Sequence, residues 1–436
     1  MSGGRNSCTI LFCQCQLDVS PLLILSRYLL SSGSWDATID SDPGSVGVQS
    51  TPDNSSPVEH VCTAESNANG PETLTSIYRK FDRPIPKDLE IALSQHAKRD
   101  TFFVSTWDNI KNMLIVQVNI GLPKKLFKLV LDTTSSGVWV LSRQAANPDL
   151  QPSYNPKRSL SAEIVKGYSW DINHLNGKQA SGDVYREFVS FETADDSITS
   201  RSQAVQVAND AYRFRNLDGV SGVMGMGFSS GSPIKPKPQP NMFDNIAEEL
   251  DEKVFTIDIR HCGIGTVEFG HIYRHWLTSE IGYADVPKDQ GYWNFTIEGL
   301  SSDFIEHATD DVVYAIADTT SALVLLPMQY IVPYYNQVPD AVYKTKYNGF
   351  VFPCNSQMPN FVFDVGGVEI SIPGAYLILS LMNEEEGLCF GALQSSGELG
   401  YNVLGTPASK SSFVVFNPVE AKIGWAKNTL LKKIIL

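Results

Sequence analysis

A chain of 436 residues is longer than one hydrophobic core usually serves, so two or three compact units are expected. Its 42% hydrophobic and 19% charged residues, with 24 Pro and 32 Gly, describe a turn-rich globular protein and exclude a coiled coil or a wholly disordered chain. With 34 basic against 48 acidic residues the formal charge is −14, a surface that repels phosphates and argues against nucleic acid or anionic membrane as partners.

Near the start, Leu22, Leu23, Ile24 and Leu25 form an apolar patch that Ser26 and Arg27 interrupt before Leu29 and Leu30. It begins late for a signal segment, so no clear signal peptide is read. It is also far short of the roughly 18 apolar residues a spanning helix requires, and no membrane span is expected. Residues 31–75 are rich in Ser, Asp, Pro, Gly and Asn, which predicts a flexible leader over 1–75. Cys8, Cys13, Cys15 and Cys62 fall in this stretch. Cys13 and Cys15 are too close for paired zinc ligands and no His follows at a matching interval, so no metal is expected; no Walker-type or dinucleotide-binding glycine loop is present, so no cofactor is expected. Residues 78–99 carry Arg79, Lys80, Arg83, Lys87, Lys98 and Arg99, with a short helical pattern in Leu89, Ile91, Ala92 and Leu93.

From Asn112 the texture becomes β. Leu114, Val116, Val118 and Ile120 alternate with Ile115, Gln117 and Asn119, Gly121-Leu122-Pro123 turns the chain, and Phe127 to Leu131 returns as a second strand. Short strand-like runs broken by Gly, Pro, Asn and Asp continue to the C-terminus, and helices are expected only near 242–250 and 328–338, the latter kinked by Pro333. Cys354 and Cys389 could close one disulfide, which spacing alone does not establish.

An internal repeat organises this β material. Leu129-Val130-Leu131-Asp132-Thr133-Thr134-Ser135 recurs as Ala315-Ile316-Ala317-Asp318-Thr319-Thr320-Ser321. Each copy is followed by an apolar-Gly signal, Val223-Met224-Gly225-Met226-Gly227 in the first half and Val403-Leu404-Gly405-Thr406 in the second. Alone, an Asp-Thr after a strand is an ordinary Asx turn. Two copies in matched apolar contexts point instead to two similar β lobes, each supplying one carboxylate. Adjacent carboxyl groups cannot both ionise comfortably, so they share a proton, and one acts as base while the other acts as acid. The hydroxyls of Ser135 and Ser321 are placed to hydrogen-bond the outer carboxylate oxygens.

The two copies resemble the Asp-Thr-Gly-Ser/Thr signatures of the pepsin-like aspartic protease family, and similarity to its fungal members runs over about residues 76–427. Further matches are Trp139 in Val138-Trp139-Val140, Ser181-Gly182-Asp183-Val184, Phe243-Asp244, Gly291-Tyr292-Trp293-Asn294-Phe295, Val414-Val415-Phe416 and Ile423-Gly424-Trp425-Ala426. The resemblance implies an all-β, bilobal double barrel, with an N-terminal lobe over 101–290, a C-terminal lobe over 291–436 and a cleft between them. It implies Asp132 and Asp318 as catalytic residues supported by Ser135, Ser321 and Trp139, with Thr134 and Thr320 as further candidate supporting residues beside them, and a disulfide between Cys354 and Cys389. It also implies a propeptide-like segment at 76–100, a monomer, and a secretory or vacuolar location.

This chain departs from the family pattern where Thr134 and Thr320 replace the signature glycines. A β-branched residue there adds bulk and a hydroxyl beside each carboxylate. Residues 170–177 align with the family's flap hairpin, placing His174 at its substrate-covering tyrosine, Leu175 at a glycine and Asn176 at the polar tip. An imidazole there can exchange a proton near neutral pH. Thr406 replaces an aspartate of the C-lobe signature, and both Thr406 and Pro333 are expected to lie away from the dyad. The leading expectation is an aspartic endopeptidase. The departures allow two others: a pepsin-fold catalyst acting on a small molecule in fungal secondary metabolism, and a non-catalytic binder. In each case the partner is a peptide or a small molecule in the interlobe cleft.

Overall fold

A computed structural model of the chain describes residues 8–11, parts of 74–89, and 114–428 apart from 148, 174–178, 193–196, 213–218, 260–264, 304, 308–311 and 384–385. The protein is built from strands, with helices confined to short segments such as Met242–Ile246, Met328–Tyr335 and Thr406–Lys410. The first half forms an eight-stranded sheet that includes Ile115–Ile120, Lys125–Asp132, Ser136–Leu141 and Gly222–Met226. In Ile115–Ile120 the alternation read from sequence is the alternation of burial, with Val116, Val118 and Ile120 inward. Pairing of Ile120 with Val189, in the long strand Gln179–Glu192, bends this sheet back on itself.

The second half repeats one local arrangement of the first. Lys125–Asp132 runs parallel to Gly222–Met226, which pairs antiparallel with Ser136–Leu141, the strand that follows the aspartate turn. Likewise Val313–Ala317 runs parallel to Asn402–Leu404, which pairs antiparallel with Val324–Leu326. The duplicated sequence thus folds into a duplicated structure, and in each half an aspartate turn is threaded between strands whose order is already fixed.

Both halves meet in a six-stranded sheet containing Phe255–Ile259, Gly265–Phe269, Gly282–Asp285, Phe413–Asn417 and Lys422–Ala426. Its edge is the strand Cys8–Leu11, which pairs with Gly265–Phe269, so this piece of the expected flexible leader is ordered by an available sheet edge. Aromatic side chains fill the joint. Phe255 stacks on Phe416 with centroids 4.6 Å apart, and Trp293 packs 4.5 Å from Phe228 while its indole N–H donates to Met226 O at 2.9 Å.

The helix at Met242–Ile246 starts where Asn241 caps it by accepting from Asp244 N at 2.8 Å, and it tightens into a 3-10 turn over Ala247–Glu249. The second helix contains Pro333 and ends at Tyr335, earlier than the pattern alone predicts. No helix among the described residues is long and apolar enough to cross a membrane.

Cys354, just after the strand Gly349–Pro353, and Cys389, in the neighbouring strand Leu388–Gly391, are joined with Cα atoms 4.9 Å apart. The bridge closes a loop over a sequence separation of 35 residues. Replacing both cysteines by Ala is expected to cost about 2–4 kcal/mol. Urea unfolding would measure this, and a loss below about 0.5 kcal/mol would mean that the sheet alone fixes the loop.

Candidate active site

Asp132 closes the strand Lys125–Asp132, and Asp318 directly follows the strand Val313–Ala317. Leu129, Val130 and Leu131 lead into Asp132, and Ala315, Ile316 and Ala317 lead into Asp318, which is fully buried. The turns that follow are held by close backbone approach. A Cβ on Gly225 would lie 2.5 Å from Ser135 O, and one on Gly405 would lie 2.3 Å from Ser321 O. The paired apolar-Gly signals are therefore the supports of the two aspartate turns.

The turns bond each other directly. Thr133 Oγ1 donates to Ala317 O at 2.8 Å, and Thr319 Oγ1 donates to Leu131 O at 2.9 Å. Thr133 N donates to Thr319 Oγ1 and Thr319 N to Thr133 Oγ1, both at 3.2 Å. Both threonines are buried, so each bond forms in a medium where its loss leaves an unmet polar group. This exchange brings together the two turns that carry Asp132 and Asp318, each one residue before its threonine. Sequence reasoning passed over Thr133 and Thr319 as site residues, although their identical place in the two copies was the available signal.

The residues at the altered signature positions contact their own aspartates. Thr134 N and Thr134 Oγ1 both donate to Asp132 Oδ1, at 2.9 and 2.7 Å. Thr320 N and Thr320 Oγ1 donate to Asp318 Oδ1, at 2.8 and 2.9 Å. The serines differ from one another. Ser321 Oγ donates to Asp318 Oδ2 at 2.5 Å, whereas Ser135 Oγ is buried without a hydrogen-bond partner, and it is the Ser135 carbonyl that accepts from Gly227 N at 2.8 Å.

Trp139 lies in the strand after the first turn, 6.0 Å from the buried Trp170 on Glu163–Asn173. The two indoles tie the base of the hairpin formed by Glu163–Asn173 and Gln179–Glu192 to the site. His174, Leu175 and Asn176, expected at the hairpin tip, lie outside the described residues. Thr406 is closer to the site than expected, because its N–H donates to Ser321 O at 2.7 Å while Asp318 N donates to Leu404 O at 3.0 Å.

A piece of the basic segment packs on the second half. Leu74, Ile77, Tyr78 and Leu89 join the main core, and Tyr78 donates its hydroxyl to Ser396 O at 3.0 Å. Phe81 meets Tyr401 at 5.2 Å and Tyr292 at 6.4 Å, and the Arg83 guanidinium stands 4.9 Å above the Tyr401 ring. Burial pushes the Tyr78 hydroxyl up to about 12, so it stays protonated through the acid and neutral range.

Comparison with known proteins agrees with this architecture. Residues 114–428 match the family model described as eukaryotic aspartyl protease. Endothiapepsin of Cryphonectria parasitica is 35% identical over 361 residues, covering 80% of this chain and 84% of that protein. Podosporapepsin of Podospora anserina is 33% identical over 316 residues, covering 72% and 73%, and aspergillopepsin-1 of Aspergillus oryzae is 32% identical over 371 residues, covering 84% and 89%. Among solved structures, an aspartic proteinase from Irpex lacteus superposes with a TM-score of 0.59 at 18% identity, over 74% of this chain and 96% of that one.

Proposed function

Because the chain belongs to the eukaryotic aspartyl protease family, we propose that it hydrolyses peptide bonds with Asp132 and Asp318 as a shared acid/base pair. The observation that carries this reading is the reciprocal bonding of Thr133 and Thr319, which couples one aspartate turn from each half. In the forward step one carboxylate removes a proton from water as its oxygen attacks the peptide carbonyl carbon. The other, protonated, gives its proton to the carbonyl oxygen, producing a neutral gem-diol. Collapse breaks the C–N bond, with a proton passing to the departing amine and one hydroxyl proton returning to the pair.

The packing of Tyr78, Phe81 and Arg83 on the second half supports synthesis as a precursor whose basic segment must leave before substrate binds. The Cys354–Cys389 bridge supports passage through an oxidising compartment, in keeping with a secretory route.

Purified protein, acid-treated and assayed at acid pH on a denatured protein substrate, is expected to release peptides. A hydroxyl-bearing peptide mimic of the gem-diol is expected to inhibit that release. A protein that remains folded, binds no such mimic and cuts nothing would overturn the reading.

The threonines at the two altered signature positions favour one second reading, acid/base chemistry on a smaller substrate in the same cleft. Its mark would be peptidase activity in Thr134→Gly/Thr320→Gly that the parent lacks.

A further inference from the structure

We propose that Thr134 and Thr320 are positioning residues whose hydroxyls, rather than their bulk, set the orientation of the two carboxylates. The proposal rests on the reading of Asp132 and Asp318 as the reacting pair. Each threonine delivers two donors, its backbone N–H and its Oγ1–H, to the same oxygen, Oδ1 of the aspartate two residues earlier. All four contacts fall between 2.7 and 2.9 Å, well-formed hydrogen bonds in length.

A carboxylate oxygen offers about two lone-pair directions, so two donors fill the acceptor capacity of Oδ1. Two consequences follow. The carboxylate plane is pinned, because rotating it breaks two bonds at once. The exchange of a proton with water or substrate is left to Oδ2. In Asp318 that second oxygen is also directed by Ser321 Oγ, so this carboxylate is held at both ends. In the first half Ser135 Oγ does not supply the equivalent bond to Asp132, so the serines of the two halves act differently.

A glycine at either position would keep the N–H bond and lose the hydroxyl bond. The replacement of glycine therefore adds one donor per carboxylate, in the same place in both halves, as a device acting on the pair would require. A hydroxyl turned toward its own aspartate also commits χ1 to a single staggered state, which fixes where the methyl group stands.

Three paired substitutions separate hydroxyl from bulk. Thr134→Ser/Thr320→Ser keeps the hydroxyls and drops the methyls, Thr134→Val/Thr320→Val keeps the bulk and drops the hydroxyls, and Thr134→Ala/Thr320→Ala serves if the valine pair fails to fold. Peptidase kinetics are expected to show the serine pair within about threefold of the parent kcat. The valine or alanine pair should fall by about 10- to 100-fold in kcat with KM changed less than about threefold, the size expected of misplaced reacting groups.

Crystal structures of the same variants give an independent readout. The carboxylate planes should keep their orientation in the serine pair and turn by more than about 20° in the valine or alanine pair. Equal loss in the serine and valine pairs, or unmoved carboxylates in the valine pair, would overturn the proposal. Should the parent cleave no peptide, that result counts against the peptidase reading alone, and the carboxylate orientations still decide the role of the hydroxyls.

Discussion

Asp318→Asn is expected to lower kcat by about ten-thousandfold, the upper range for removing a positioned general acid or base, without lowering stability. The substitution keeps size and shape, and the asparagine Oδ1 can still accept from Thr320 N and Thr320 Oγ1, which now approach Asp318 at 2.8 and 2.9 Å. Ser321 Oγ, which donates to Asp318 Oδ2, has to turn and accept from the new amide nitrogen, and what disappears is the ability to carry a proton between water, carbonyl and amine. Asp318 is fully buried, and a neutral amide of the same shape carries less of the desolvation cost that a buried ionisable group can incur. Stability equal to or above that of the parent, measured by urea unfolding alongside the kinetics, would be the signature of a site residue rather than a scaffold residue. Retention of more than about a tenth of the parent kcat would remove Asp318 from the mechanism. The same outcome is expected for Asp132→Asn.

Thr319→Val should do the opposite, costing about 2–4 kcal/mol of stability as well as activity. Valine matches the shape of threonine but cannot donate to Leu131 O or accept from Thr133 N, bonds of 2.9 and 3.2 Å in the parent. Both orphaned groups sit in a buried junction, and each unmet polar group there costs about 1–3 kcal/mol. Thr133→Val removes the matching pair of bonds, to Ala317 O and from Thr319 N. Because the two side chains share one network, the double substitution is expected to cost less than the two single effects combined. Urea unfolding of the three variants closes the cycle. A single-variant loss below about 0.5 kcal/mol would mean that the lobes are coupled chiefly through their shared sheet and its aromatic joint.

Much of the site was legible because its informative features are local. The strands show their two-residue period in Val116, Val118 and Ile120, and the duplicated Asp-Thr-Thr-Ser units announce a pair of turns before any contact is known. The glycines at 225 and 405 were visible as a matched signal, but their close contacts with Ser135 O and Ser321 O were not. Thr406 shows the limit of reading by position. Its replacement of a signature aspartate reads as tolerated drift away from the dyad, yet its N–H reaches Ser321 O. Ser135 and Ser321 show another limit, since equal positions in a repeat received unequal bonds.

The sequence by itself determined an all-β chain, a duplicated aspartate turn, and the similarity between its halves, since periodicity and local turn chemistry are properties of neighbouring residues. Only the tertiary structure decided that Thr133 and Thr319 exchange bonds between the halves, that Thr134 and Thr320 turn their hydroxyls onto their own aspartates, and that Tyr78, Phe81 and Arg83 pack on the second half. The first and third depend on segments far apart in the chain arriving side by side. The second depends on a rotamer choice that the backbone around each turn and the position of its carboxylate make together, which no reading of residue types resolves.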